Sequence, residues 1–202
     1  IFGKDLRRIE MRKSYRNTVE ISEFANDILR HGDFAVYPVE PIIRHGAAVR
    51  VEKQPDATAL LEETVHTIRK WQQDGYETIA VICREEKEAA ELAEQLKSYM
   101  EIVDCNPGTT EFGDGVMVLS VAYTKGLEFD AVLLYDPTQK KYPADNGHVK
   151  LLYVAATRAL HELVVLYHGN LSRILTDPVS KEKKQKVFAA ETLTKAKEYE
   201  KK

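Results

Sequence analysis

The alternation of apolar and polar positions divides the chain into short apolar runs separated by amphipathic stretches. "TIAVIC" at 78–83, "VMVLSV" at 116–121 and "AVLLY" at 131–135 are almost continuously apolar over strand length. That is the mark of strands covered on both faces. "ELVVLYH" at 162–168 predicts the last strand, "AAVRVEK" at 47–53 an earlier one, and "RRIEMRKSY" and "EIVD" two short ones. Between them, apolar residues fall at helical spacing in "VEISEFANDILR", "ATALLEETVHTIRKWQQD", "EEKEAAELAEQLKSYM" and "VKLLYVAATRALH". Asn17 with Glu20 three residues on predicts one capped helix start, Asp56 caps another, and Gly75 stops it. Strands alternating with helices predict βαβ units, and hence an α/β fold with a mainly parallel sheet and helices on both faces.

Composition sharpens this reading. The chain has 202 residues, 44% of them hydrophobic and 30% charged, enough to bury a sizeable core. After Pro178 the sequence becomes "SKEKKQKVFAAETLTKAKEYEKK", so the expected organisation is one domain over 1–175 and a charged helical or disordered tail over 176–202. A net charge of -3 gives no global basic field, so any nucleic-acid contact must be local. Cys83 and Cys105 make no disulfide framework and fit a reducing cytoplasm, with Cys83 as a small buried hydrophobe. No apolar run reaches the roughly 18 residues that a membrane span needs, and no signal peptide is visible. The opening "IFGKDLRRIE" reads as a cut inside a longer protein. The six histidines are scattered without metal-ligand spacing, and Trp71 reads as core or as a partly buried surface anchor.

Three stretches carry candidate chemistry. In "TKGLEF", Gly126 permits a positive φ or a close backbone approach, Lys125 offers a point charge to phosphate, and Glu128 could accept from ribose hydroxyls. Placed after "VMVLS", the turn is expected at the carboxyl ends of the strands; the bland reading is a turn with two solvated charges. Arg158, inside the predicted helix "VKLLYVAATRALH", either snorkels to solvent or makes a bidentate phosphate contact. In "RKSYRN", Tyr15 and Arg16 either pack at a strand end or serve a base and its phosphates. A fourth stretch, "GTTEFGDG" from Gly108, has the two glycines of a P-loop. Asp114 and Gly115 replace its lysine and hydroxyl residue, so it reads as a loop.

In order, "SYRN", "KGLEF" and "LLYVAATRA" resemble motifs IV, V and VI of superfamily 1 helicases of the UvrD/Rep type, whose usual forms are N-Y-R-S, T-x-H-x-x-K-G-L-E-F and L-x-Y-V-A-x-T-R-A. The resemblance runs from residue 6 to residue 168. It implies the second RecA-like motor domain, 2A, of a P-loop NTPase-type fold that lacks a P-loop of its own. By motif position Tyr15 would stack on adenine, Arg16 and Arg158 would be the catalytic arginine fingers at the γ-phosphate, and Lys125 would approach the same phosphate. Glu128 would hold the ribose, with Gly126 in the cofactor-binding turn. ATP, with its Mg²⁺, would be held by an N-terminal RecA-like domain of the same protein, the isolated fragment would be inactive, and the further partner would be DNA. Two departures refine this. Ser120 and Ala122 stand where the family has T-x-H, on the nucleic-acid side of the motif, and only residues 17–124 separate Arg16 from Lys125, leaving no room for a large accessory insertion. Both resemble the HelD or helicase IV branch, which implies RNA polymerase as a partner. The alternative is a non-catalytic polymerase-docking module with relic nucleotide residues.

Overall fold

The computed structural model describes residues 13–14, 17–34, 40–41, 44–104 and 113–176. Tyr15, Arg16, Cys105, most of the glycine-rich stretch from Gly108 and the tail beyond residue 176 lie outside them. In chain order the elements are β1 (Lys13–Ser14), α1 (Val19–Leu29), β2 (Glu40–Pro41), β3 (Arg50–Gln54), α2 (Ala57–Gln73), β4 (Thr78–Cys83) and α3 (Glu86–Leu96). These are followed by β5 (Gly115–Ser120), a 3-10 turn (Val121–Thr124), β6 (Phe129–Tyr135), α4 (Asn146–Ala156), β7 (Ala159–His168) and α5 (Arg173–Thr176). The short strands β1 and β2 pair with each other in parallel. The other five form one wholly parallel sheet in the order β3-β7-β6-β4-β5.

Burial on both faces explains the apolar runs. On β4, Ala80 and Ile82 join one core with α1, α4 and α5, while Ile79, Val81 and Cys83 join a second with α2 and α3. Trp71 is core rather than a surface anchor: it is 1% exposed, and its indole N–H donates to Glu162 Oε2 at 2.5 Å. Cys83 is a free, buried thiol whose pKa is pushed up, first by desolvation.

Four local expectations are corrected. "EIVD" forms no strand; Val103 merely donates its N–H to Val116 O at 2.8 Å, alongside β5. The strand expected over 47–53 begins at Arg50, because residues 44–49 fasten onto the start of α1 instead, where Val19 N donates to Arg44 O. Thr18, not Asn17, caps α1, accepting from Ile21 N. The helix expected to run through His161 stops at Ala156, and β7 starts at Ala159. Asp56 does cap α2, accepting from Ala59 N at 2.9 Å, and Gly75 after it has φ 89°.

One irregularity of the sheet lies at the start of β6, next to Glu128. Phe129 pairs with Ala159 but Ala131 with Glu162, so two residues of β7 oppose Asp130 alone. Phe129 packs into the first core and Ala131 into the second, so the alternation of faces breaks at Asp130. The Asp130 carboxylate then accepts from Glu77 N, Thr78 N and Thr78 Oγ1 at the start of β4.

Leu133, fully buried on central β6, tests the core. Leu133→Ala should lower unfolding free energy by about 2–5 kcal/mol in denaturant titration, whereas Glu91→Ala on the exposed face of α3 should change it by no more than about 0.5 kcal/mol.

Candidate functional site

The crossover from β5 to β6 carries the first group of candidates. Leu127 N donates to Thr124 O at 3.1 Å, and Lys125 has φ -63° and ψ 120°. With Gly126 at φ 83°, these are the dihedrals of a type II turn, which needs a glycine at its third position. Buried Thr124 donates its hydroxyl to Val121 O at 2.8 Å and anchors the turn. Lys125, Gly126 and Glu128 are exposed, while Leu127 packs against the core and Phe129 is buried. The five-residue motif thus presents its charges outward on two apolar anchors.

Arg158 lies not inside a helix but in the turn between α4 and β7. Its half-buried guanidinium donates through Nε to Val154 O at 3.0 Å, through Nη1 to Leu127 O at 3.0 Å and through Nη2 to Thr157 Oγ1 at 3.3 Å. Its backbone carbonyl accepts from Phe129 N at 2.9 Å. The arginine therefore clasps the loop that carries Lys125 and Glu128, 30 residues upstream of it in the case of Glu128.

This geometry corrects the expected location. Glu128 immediately precedes β6 and Arg158 immediately precedes β7, and the two strands are parallel neighbours. The charged rim therefore lies at the amino ends of β6 and β7, not at the carboxyl ends. The physical reason is connectivity: a parallel crossover must return the chain to the edge where the next strand begins.

The helix start after "SYR" reaches the same rim. Asn17 Nδ2 donates to Thr157 O at 3.1 Å and to Ala159 O at 2.5 Å. The residue that follows Tyr15 and Arg16 is thereby fixed against the Arg158 turn. Glu20 Oε1 meets His45 Nδ1 at 2.9 Å and Glu20 Oε2 accepts from Gly46 N at 2.8 Å. The Gly46 amide, followed by the His45 ring, holds the Glu20 carboxyl down at about 2, from an ordinary 4.5.

The carboxyl edge holds a network that sequence reasoning passed over. Asp136, buried at φ 50°, accepts from His168 N at 3.1 Å and from Lys141 Nζ at 2.5 Å, and Lys141 also donates to Glu88 Oε1 at 2.5 Å. Burial works to lower the Lys141 pKa, but the hydrogen bonds to Asp136 and Glu88 outweigh it and the pKa is raised. An acidic residue ending a buried strand was the available signal. Its charges close on one another, and among the described residues no group of three or more His, Cys, Asp or Glu is placed to share a metal ion. No helix among them is long and apolar enough to cross a membrane.

Two measurements probe this rim. Gly126→Ala has open space for its methyl group but must hold a positive φ, so it should lower stability by about 1–2 kcal/mol, and Gly126→Asn by less, in denaturant titration. Glu20 ionises more readily folded than unfolded, so its contribution is present above the ordinary 4.5 and is lost as pH falls through about 2. An NMR titration should place its midpoint near 2, and Glu20→Gln should flatten the loss of stability across that window.

Residues 115–166 match the model of the UvrD-like helicase C-terminal domain family, a segment that includes Lys125, Gly126, Glu128 and Arg158. Among solved structures, the C-terminal domain of a possible DNA helicase from Lactobacillus plantarum WCFS1 is 27% identical and superposes with a TM-score of 0.68, over 82% of this chain and 94% of that one. In sequence, the chain is also similar to the ribonuclease HII of Aeropyrum pernix, at 26% identity over 170 residues, covering 84% of this chain and 74% of that protein. The family match falls on the strands that flank the charged rim, and the structural likeness covers most of the chain. The fold of this chain is that of a helicase C-terminal RecA-like domain, and its segment 115–166 is similar to the UvrD-like helicase C-terminal domains.

Proposed function

We propose that the chain is the C-terminal motor domain of an ATP-dependent superfamily 1 DNA helicase or translocase, closing on ATP that an N-terminal RecA-like domain of the same protein holds. The observation that carries this reading is the Arg158 clasp on Leu127 O, which gathers a guanidinium, the Lys125 turn and the Glu128 carboxylate at one rim. Two cations and an exposed carboxylate fit a polyphosphate joined to a ribose. ATP with Mg²⁺ would supply the phosphoanhydride bond that breaks as the γ-phosphoryl group passes to water, with charge developing on that group's equatorial oxygens. Arg158, oriented by three hydrogen bonds, offsets that charge together with Lys125. Glu128 accepts from the ribose hydroxyls, Tyr15 stacks on the base, and Arg16 is the second arginine at the γ-phosphate.

Within this class the reading we favour is the HelD-like branch, with RNA polymerase as the partner that the motor remodels. It is supported by the described residues between Arg16 and Lys125, which build α1, β3, α2, β4, α3 and β5 of the core and leave no separate insertion.

The test is ATPase activity of the full-length protein. Arg158→Ala should lower kcat by a factor on the order of 10³ or more. Unchanged turnover, with polymerase binding retained, would favour a docking module with relic nucleotide residues and sink the motor reading.

A further inference from the structure

We infer that Asn17 is a positioning residue for Arg158, acting through the backbone of the turn that carries it; this rests on the proposed motor reading. Asn17 is 9% exposed, and its one side-chain amide nitrogen serves two acceptors, Thr157 O at 3.1 Å and Ala159 O at 2.5 Å. Those are the carbonyls on either side of Arg158. The carbonyl of Arg158 itself accepts from Phe129 N at 2.9 Å. Three consecutive carbonyls are thus held, the outer two by Asn17 and the middle one by β6.

The end of a helix leaves its last carbonyls without partners inside the helix. Here Tyr153 O, Val154 O and Ala155 O of α4 are served locally by Thr157 N, Arg158 Nε and Arg158 N. The carbonyls of Thr157 to Ala159, just past the helix, instead take donors from elsewhere in the chain, 140 residues away in the case of Asn17 and Thr157. Thr18 performs the local capping of α1, so the Asn17 amide is left for this long-range bond. A guanidinium that must meet a developing charge gains from a fixed backbone origin, because a displacement of about 1 Å can cost on the order of 10²-fold in rate. Asn17 also follows Arg16 directly in sequence.

A purely architectural staple would lower stability and leave turnover alone. The test compares Asn17→Ala, Asn17→Ser and Arg158→Ala in the full-length protein, measuring kcat and KM for ATP together with the melting temperature. Asn17→Ala should lower kcat by roughly 10- to 100-fold with little change in KM. Asn17→Ser, which keeps one donor, should fall between wild type and Asn17→Ala, and it serves if the alanine variant does not fold. In the Arg158→Ala background, Asn17→Ala should lower kcat no further, since both act through one group. A reduced melting temperature with wild-type kcat in the Asn17 variants, while Arg158→Ala is inactive, overturns this inference alone. An unchanged kcat in Arg158→Ala overturns the motor reading and this inference with it.

Discussion

Parallel neighbouring strands must begin at the same edge of their sheet, and β6 and β7 are such a pair. The residues just before them, Glu128 and Arg158, are therefore brought together although they are far apart in sequence. Every other feature of the rim elaborates that constraint. The Arg158 side chain binds Leu127 O, its carbonyl accepts from Phe129 N, and Asn17 closes the turn from the other side. The two crossovers differ in kind, one an eight-residue loop with a 3-10 turn and the other carrying α4, yet both deliver the chain to one place.

The two-sided core explains why so plain a sheet can hold a charged edge. With α1, α4 and α5 on one face and α2 and α3 on the other, the central strands contribute almost nothing polar along their length. Polar groups gather where the strands end. At the amino edge they include Asp130, His161 and Glu162, with the His161 ring stacked on Tyr76 at 6.0 Å. At the carboxyl edge, Lys141 bridges the carboxylates of Asp136 and Glu88. The rim around Lys125 and Glu128, by contrast, presents exposed charge.

Much of this was legible in the residues. Continuous apolar runs such as "TIAVIC" announce strands buried on both faces, and Asp56 and Gly75 mark the ends of α2 by their own chemistry. Gly126 was legible too, since a type II turn admits few alternatives at its third position. What eluded pattern reading depends on contacts distant in sequence. "YVAATRALH" continues a helical period past Ala156, and only pairing of Ala159 with Phe129 shows where the strand takes over. Asn17 looks like a cap because Asx residues favour that position; its engagement with Thr157 and Ala159 cannot be seen from neighbours in sequence. The edge on which the rim lies follows from Glu128 and Arg158 each preceding one of two parallel strands, and the start of β7 is what the helical period concealed.

The loop from β5 to β6 has one more consequence. Ser120 pairs level with Cys83, while Ala131 pairs level with Ile79, so the chain must climb back along most of a strand while skipping over β4. Of the eight connecting residues, Val121–Thr124 are coiled in a 3-10 turn and Thr124 to Leu127 close a second turn, so the return path is made with coiled chain rather than extended chain. A residue added or removed there would change where Lys125 stands relative to the arginine that binds Leu127 O.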